Sequence, residues 1–194
     1  VSYATEINTA SGDPRAHRDN FAALVTLLGT TPPLAHASTH APTGTDPLNV
    51  PLIAYKSSDQ TAIGTSFADV SGTGLAVEAS KSYRFEFWLL MDSDATTTGI
   101  DVSVNGPASP TAIHYEVTAW SSASAQRVAG ESAYDTVTTP NVNSNGATTR
   151  LFRILGVLVN GANAGTLVAR AKREAVGSGP NARAGSFGIA WKLN

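Results

Sequence analysis

Ser82-Tyr83-Arg84-Phe85-Glu86-Phe87-Trp88-Leu89-Leu90-Met91 is the stretch whose pattern settles the fold class. Tyr83, Phe85, Phe87, Leu89 and Met91 recur every second residue, which is the period of a β-strand and not of a helix. Arg84, Glu86, Trp88 and Leu90 fall on the opposite face, and that face is itself half apolar. The same alternation marks further strands at 52–56, 60–63, 67–70, 74–78, 99–105, 112–120, 125–130, 133–138, 150–159, 165–173 and 186–193. Between them stand turn formers, Asn105-Gly106-Pro107, Asn145-Gly146, Asn160-Gly161 and Gly179-Pro180-Asn181. Many short strands with no helical stretch among them predict an all-β, antiparallel jelly-roll or sandwich body over 52–194. The strands at 84–90 and 151–158 are apolar on both sides, as expected when one sheet buries its second face against neighbouring copies, and a three-fold assembly accounts for this.

Composition agrees with assembly. Hydrophobic residues make up 42% of the 194, enough for a packed core, whereas charged residues make up 14%, well below the roughly 25% usual for globular domains. The surface is therefore largely Ala, Ser, Thr, Asn and Gly. A net charge of -2 gives no basic footprint for nucleic acid, and no apolar run of about 18 residues is present for membrane insertion. There is no cysteine, hence neither a disulfide framework nor thiolate chemistry. Val1-Ser2-Tyr3-Ala4-Thr5-Glu6 lacks the charged start and apolar core of a secretory signal. A small first residue is what removal of an initiator Met leaves, and the expectation is an entire gene product.

Ahead of the body, Asp13-Pro14 pairs an N-cap with a proline at the first helical position. Phe21, Leu24, Val25 and Leu28 follow at i, i+3, i+4 and i+7, and Gly29 with Pro32-Pro33 ends the run. The spacing predicts one short amphipathic helix over 14–28. Such a helix is barely stable alone and needs a surface for its stripe, either its own β body or another protein. From Thr30 to Pro51 the chain carries Pro32, Pro33, Pro42, Pro47 and Pro51 and reads as an extended Pro-rich arm. Residues 1–51 thus form an anchoring arm and 52–194 an oligomerisation domain.

Within that arm, His36-Ala37-Ser38-Thr39-His40-Ala41-Pro42-Thr43-Gly44-Thr45-Asp46-Pro47 resembles the His-x-x-x-His-x-x-Gly-x-Asp-Pro linker of tailed-bacteriophage fibre and head-decoration proteins. His36, His40, Gly44, Asp46 and Pro47 carry the likeness. Pro42-Thr43 departs from the small residues or Gly of many relatives. Ser82 to Phe87, Thr96-Thr97-Thr98-Gly99-Ile100 and Val104-Asn105-Gly106-Pro107 are similar to small trimeric phage virion domains with a tumour-necrosis-factor-like sandwich. Together these likenesses cover roughly residues 36–110. They imply a non-enzymatic virion structural protein, assembled in the host cytoplasm, homotrimeric, and attached through its arm to the major capsid protein or to the tail or baseplate. Head decoration is favoured over a tail fibre by the single anchoring helix and the lack of a repetitive shaft.

Candidate chemistry is sparse, and no cofactor is expected. His36 and His40 around a three-fold axis would offer six imidazole nitrogens to a transition metal, but flanking prolines and the lack of a completing ligand favour backbone hydrogen bonding, so no metal is assigned. Asp92, Asp94 and Asp101 lack the Gly and distal Glu of a calcium loop. Asp69, Glu78 and Glu86 supply carboxylates for a glycosidase pair, yet Glu86 lies two residues from Arg84 on one strand face and reads as a structural ion pair or an interface contact. His114 has no Gly-x-Ser-x-Gly elbow to work with. Trp88 and Trp191 sit inside strand patterns, where packing is the usual fate. Trp120, before the polar run Ser121 to Ser124, is the candidate for surface binding. A receptor-binding module would use it with loops 92–98, 121–125, 139–149 and 177–185 against a host surface glycan.

Overall fold

The computed structural model describes residues 50–93, 99–120, 126–136, 142–143, 148–174 and 179–194. The helix expected over 14–28, with Phe21, Leu24, Val25 and Leu28, lies outside them, as does the linker with His36, His40, Gly44, Asp46 and Pro47. Val50–Asn194 forms a compact unit. Its strands are β1 (Leu52–Tyr55), β2 (Ala68–Asp69), β3 (Leu75–Val77), β4 (Ser82–Ser93), β5 (Gly99–Asn105), β6 (Ala112–Trp120), β7 (Gln126–Glu131), β8 (Val142–Asn143), β9 (Arg150–Val159), β10 (Gly165–Arg173), β11 (Pro180–Ala182) and β12 (Phe187–Lys192). No helix occurs among the described residues.

The strands make two antiparallel sheets. Seven strands run β1-β12-β4-β9-β6-β7, with β11 also paired to β4; five run β2-β10-β5-β8, with β3 also paired to β10. The longest ladder joins β4 to β9 from Ser82↔Val159 to Met91↔Arg150. The alternation in 82–91 is realised residue by residue: Phe85, Phe87, Leu89 and Met91 have no exposed surface and Tyr83 has 1%. Each such side chain contributes about 1.5–3 kcal/mol on leaving water. They meet Val117 and Ile154 from their own sheet and Val102, Val104, Leu167 and Ala169 from the other, in one continuous core.

Gly156 makes part of that core possible. It stands between Phe85 on β4 and Tyr115 on β6. A Cβ there would lie 2.5 Å from the Phe85 ring and 2.6 Å from the His114 carbonyl oxygen. The Phe85 ring, the His114 carbonyl and the Tyr115 Cβ thus occupy the volume that a side chain in the middle strand would need.

Four expectations are corrected. A strand was expected over 133–138, but residues 133–136 form a turn: Asp135 adopts φ 54, donates its N–H to the Val104 carbonyl and accepts from Asn105 and Arg170. The left-handed conformation ends extended pairing, and the turn borders β5 instead. Residues 60–63 contribute an isolated bridge, Gln60↔Ala182, and not a full strand. The expected surface loop 177–185 contains β11, whose three residues are buried and pair with Ser93, Asp92 and Met91. For the same reason Asp92 and Ser93, placed in a loop by the sequence, are the buried end of β4.

Candidate interaction face

Strand alternation assigns the outer surface of the seven-stranded sheet. Because Phe85, Phe87 and Leu89 point inward, Arg84, Glu86, Trp88 and Leu90 point outward, and the registers extend this to every neighbour. One cross-strand row runs Tyr55, Phe187, Trp88, Arg153, Thr118, Val128; the next runs Ile53, Ile189, Glu86, Leu155, Glu116, Gly130; a third contains Trp191, Arg84, Val157 and His114. Tyr55 is 63% exposed, Ile53 67%, Val128 58% and Val157 43%. Val159, Trp120 and Leu193 are exposed as well, so every exposed large hydrophobic among the described residues except Val50 lies on a strand of this sheet or directly beside one. Scattered surface hydrophobics are ordinary, but a contiguous set on one sheet face marks a surface that is covered by something.

At the centre of this face sits a carboxylate. Glu86 is 8% exposed. Its Oε1 accepts from Arg84 Nη2 at 2.7 Å and its Oε2 from Trp88 Nε1 at 3.2 Å. Arg153 approaches it only to 3.8 Å, and Arg153 Nε is buried without an acceptor. The Arg84 guanidinium lies 5.2 Å over the Trp191 ring and that of Arg153 5.2 Å over Trp88, while Trp88 stacks on Phe187 at 6.2 Å. Each cation–π contact adds about 0.5–1 kcal/mol at a partly exposed site. The result is a ladder of rings and guanidiniums around one carboxylate, carrying two positive charges against one negative. Beside it is an open depression of about 730 Å³ whose lining includes Arg84, His114, Glu116, Glu131, Leu155 and Val157.

The outer surface of the five-stranded sheet is built differently. Arg170 Nε meets Asp69 at 3.0 Å, its Nη1 meets Asp135, and its Nη2 donates to the Phe67 carbonyl. Lys172 Nζ lies 3.5 Å from Asp101 and 5.1 Å over the Phe67 ring. Burial raises the Asp101 carboxyl above its ordinary range, with Lys172 opposing. Charges here are spent on one another.

A second ionic cluster closes one end of the seven-stranded sheet. Asp92, 1% exposed in its side chain, accepts from Arg183 Nε and Nη2, from Asn181 Nδ2 at 2.9 Å and from Thr149 Oγ1 at 3.1 Å. Burial pushes its carboxyl up, but these hydrogen bonds outweigh burial and hold it below the usual carboxylate range. Arg183 also reaches Asp59 at 2.9 Å. Nearby, Lys56 is buried with its Nζ on the Ser71 hydroxyl and carbonyl, and desolvation lowers its pKa. Nothing in the sequence pattern singled out Asp92 with Arg183, since they lie 91 positions apart.

The residues weighed earlier for chemistry are dispersed. Glu86 makes the ion pair expected with Arg84. Glu78 pairs with Lys192 at 2.9 Å and Asp69 with Arg170, so each carboxylate of the supposed glycosidase set is engaged separately. Asp92 and Asp101 belong to different sheets and separate ion pairs, and Asp94 lies outside the described residues. Among the described residues no group of three or more His, Cys, Asp or Glu is placed to hold a metal ion. His114 lines the depression on the outer face. Trp120, at the end of β6 opposite Gln126, is 40% exposed at the margin of the same face. Trp88 and Trp191, expected in core or interface, are both half-buried on this face. The arrangement on this face is an apolar surface with an ionic centre.

No protein-family model matches the chain, and no curated protein matches it. Among solved structures it is similar to one described as the Eiger TNF of S. frugiperda, with a TM-score of 0.37 and 9% identity, covering 75% of this chain and 92% of that one.

Proposed function

We propose that this chain is a non-enzymatic structural protein of a bacteriophage particle, a homotrimeric capsid decoration protein with a jelly-roll or tumour-necrosis-factor-like body and an N-terminal anchoring arm. The observation that supports it best is the outer face of the seven-stranded sheet, where Ile53, Tyr55, Val128 and Val157 are all exposed in the single chain. Copies of the chain cover that face, and the linker motif from His36 to Pro47 supplies the phage setting. On this reading Phe21, Leu24, Val25 and Leu28 tie each subunit to the major capsid protein or to the tail or baseplate, with burial of each side chain worth about 1.5–3 kcal/mol.

Light scattering on the purified chain tests the assembly. A mass of three chains that survives removal of residues 1–49 supports the body as the assembly unit; a single-chain mass at all concentrations overturns it. Replacing Phe21 and Leu24 by Asp should abolish attachment to particles and leave the trimer intact.

A second reading, a tail-fibre or receptor-binding module for a host surface glycan, is favoured by Trp120, a large aromatic side chain left 40% exposed at a strand end. Glycan arrays separate the two, because binding that disappears with Trp120→Ala belongs to the receptor-binding reading alone.

A further inference from the structure

Resting on the self-association proposed above, a more specific property follows from the charges on the same face. Besides Asp92, which Arg183 takes up at the end of β4, the outward-facing charged side chains of this sheet among the described residues are Arg84, Glu86, Arg153 and Glu116, with His114 beside them. Three of the four form the central ladder, and that ladder is one negative charge short: Arg84 takes Glu86 at 2.7 Å, while Arg153 stands off at 3.8 Å with no acceptor for its Nε. In the single chain this is tolerable, because 39% of the Arg153 side chain is still in water. Covering the face removes that water, and an under-paired guanidinium in an apolar interface costs several kcal/mol unless another carboxylate arrives.

Two carboxylates line the depression, Glu116 and Glu131; Glu131 ends β7 opposite inward-pointing Tyr115, and Glu116 is the one whose strand position faces outward. It is exposed, accepts a 3.2 Å hydrogen bond from Thr118 Oγ1, and makes no ion pair with Arg153 of its own chain although their strands are adjacent. It stands on the depression side of the face, between His114 and the side-chain-free Gly130. The face is therefore polarised, cationic over β4 and β9 and anionic over β6, so copies fit around a three-fold axis when the anionic side of each meets the cationic side of the next. The dimensions suit this. Six strands at ~4.8 Å spacing and five outward residues per long strand give a face of roughly 650 Å², close to the ~800 Å² per partner of a stable protein interface.

We infer that a second copy of this chain docks on the seven-stranded sheet with its Glu116 against Arg153, and that this pair fixes the register of the assembly. Apolar burial supplies adhesion without direction, whereas a buried charge pair rejects every register that leaves Arg153 uncompensated.

A double-mutant cycle on the full chain tests this, with Glu116→Gln, Arg153→Met and the two combined, reading the dissociation constant of the assembly by sedimentation and the urea midpoint of unfolding under dissociating dilution. Each single change should weaken assembly about tenfold or more, and the double variant should be no weaker than the worse single one, since close charge pairs across interfaces couple by ~1.5 kcal/mol or more. The cycle measured on single-chain unfolding should show no such coupling. Where Arg153→Met moves the urea midpoint, Arg153→Lys keeps the charge and should restore most of the affinity. Independent, multiplying losses, or assembly indifferent to both changes, overturn the Glu116–Arg153 register while leaving self-association intact. A single-chain mass for the wild type overturns both. Assembly that survives these variants but is lost on removing residues 1–49 assigns the contact to the arm, and the register falls with it.

Discussion

The two outer surfaces of the sandwich share one core and differ in what they leave unfinished. On the five-stranded sheet Arg170 engages Asp69, Asp135 and a backbone carbonyl, and Lys172 engages Asp101 and the Phe67 ring. That surface engages its charges largely within the chain, although Arg170 Nε and Asp135 Oδ1 are buried without a hydrogen-bond partner there, as Arg153 Nε is on the other sheet. On the seven-stranded sheet Ile53, Tyr55, Val128 and Val157 are held in water and Arg153 is under-paired. Ion pairs satisfied within a chain need no partner, and exposed β-branched and aromatic side chains gain by finding one. In the proposed assembly, the contrast separates the side of the molecule that faces solvent from the side that faces other copies.

The largest expected effect sets the faces directly against each other. Ile53→Glu, at a 67% exposed position on β1 opposite Ile189, places an unpaired carboxylate in the proposed interface and should weaken assembly by about 3–5 kcal/mol, taking the scattering mass to that of one chain. Thr166→Glu, an exposed position on β10 of the other sheet, should leave the mass unchanged. If both variants dissociate the assembly equally, the contrast between the faces fails.

Next in size, Arg183→Met removes the chief partner of buried Asp92 and should cost about 3 kcal/mol of folding stability by urea unfolding. The pH dependence has a definite sign. Asp92 is held below the ordinary carboxylate range in the folded state, so its stabilisation is complete above about pH 4, the unfolded value, and is lost as pH falls through the lower folded value. The gap between wild type and Arg183→Met should therefore narrow in acid; a gap constant down to the acid limit would mean that Arg183 acts by packing alone.

Gly156→Val should destabilise both sheets together by about 1–3 kcal/mol, because its branched side chain must displace Phe85 or the β6 backbone. Assembly should weaken only as far as folding does, which distinguishes a core defect from an interface defect. Trp120→Ala is expected to have the smallest effect, within ~0.5 kcal/mol on folding, measured by the urea midpoint, since Trp120 is 40% exposed at the margin of the face.

Much of the body was legible from residue order. Strand alternation is local and strict, so 99–105, 112–120, 150–159 and 165–173 coincide with β5, β6, β9 and β10, and the apolar second face of 84–90 stands out in the letters themselves. The ion pair of Arg84 with Glu86 was readable because residues i and i+2 share a strand face. What escaped was set by distant partners. Pro180-Asn181-Ala182 has the composition of a turn, yet it becomes a strand because Met91, Asp92 and Ser93 offer it a free edge. Residues 133–136 have the pattern of a strand, yet Asp135 turns back to serve Asn105 and Arg170. Local sequence determined the period of each element and the apolar character of its faces, because both depend on neighbours one or two residues away. Only the tertiary structure decided which faces share a core, which charges find partners and which are left short, because those depend on residues as far apart as Asp92 and Arg183 or Glu86 and Arg153 meeting in space.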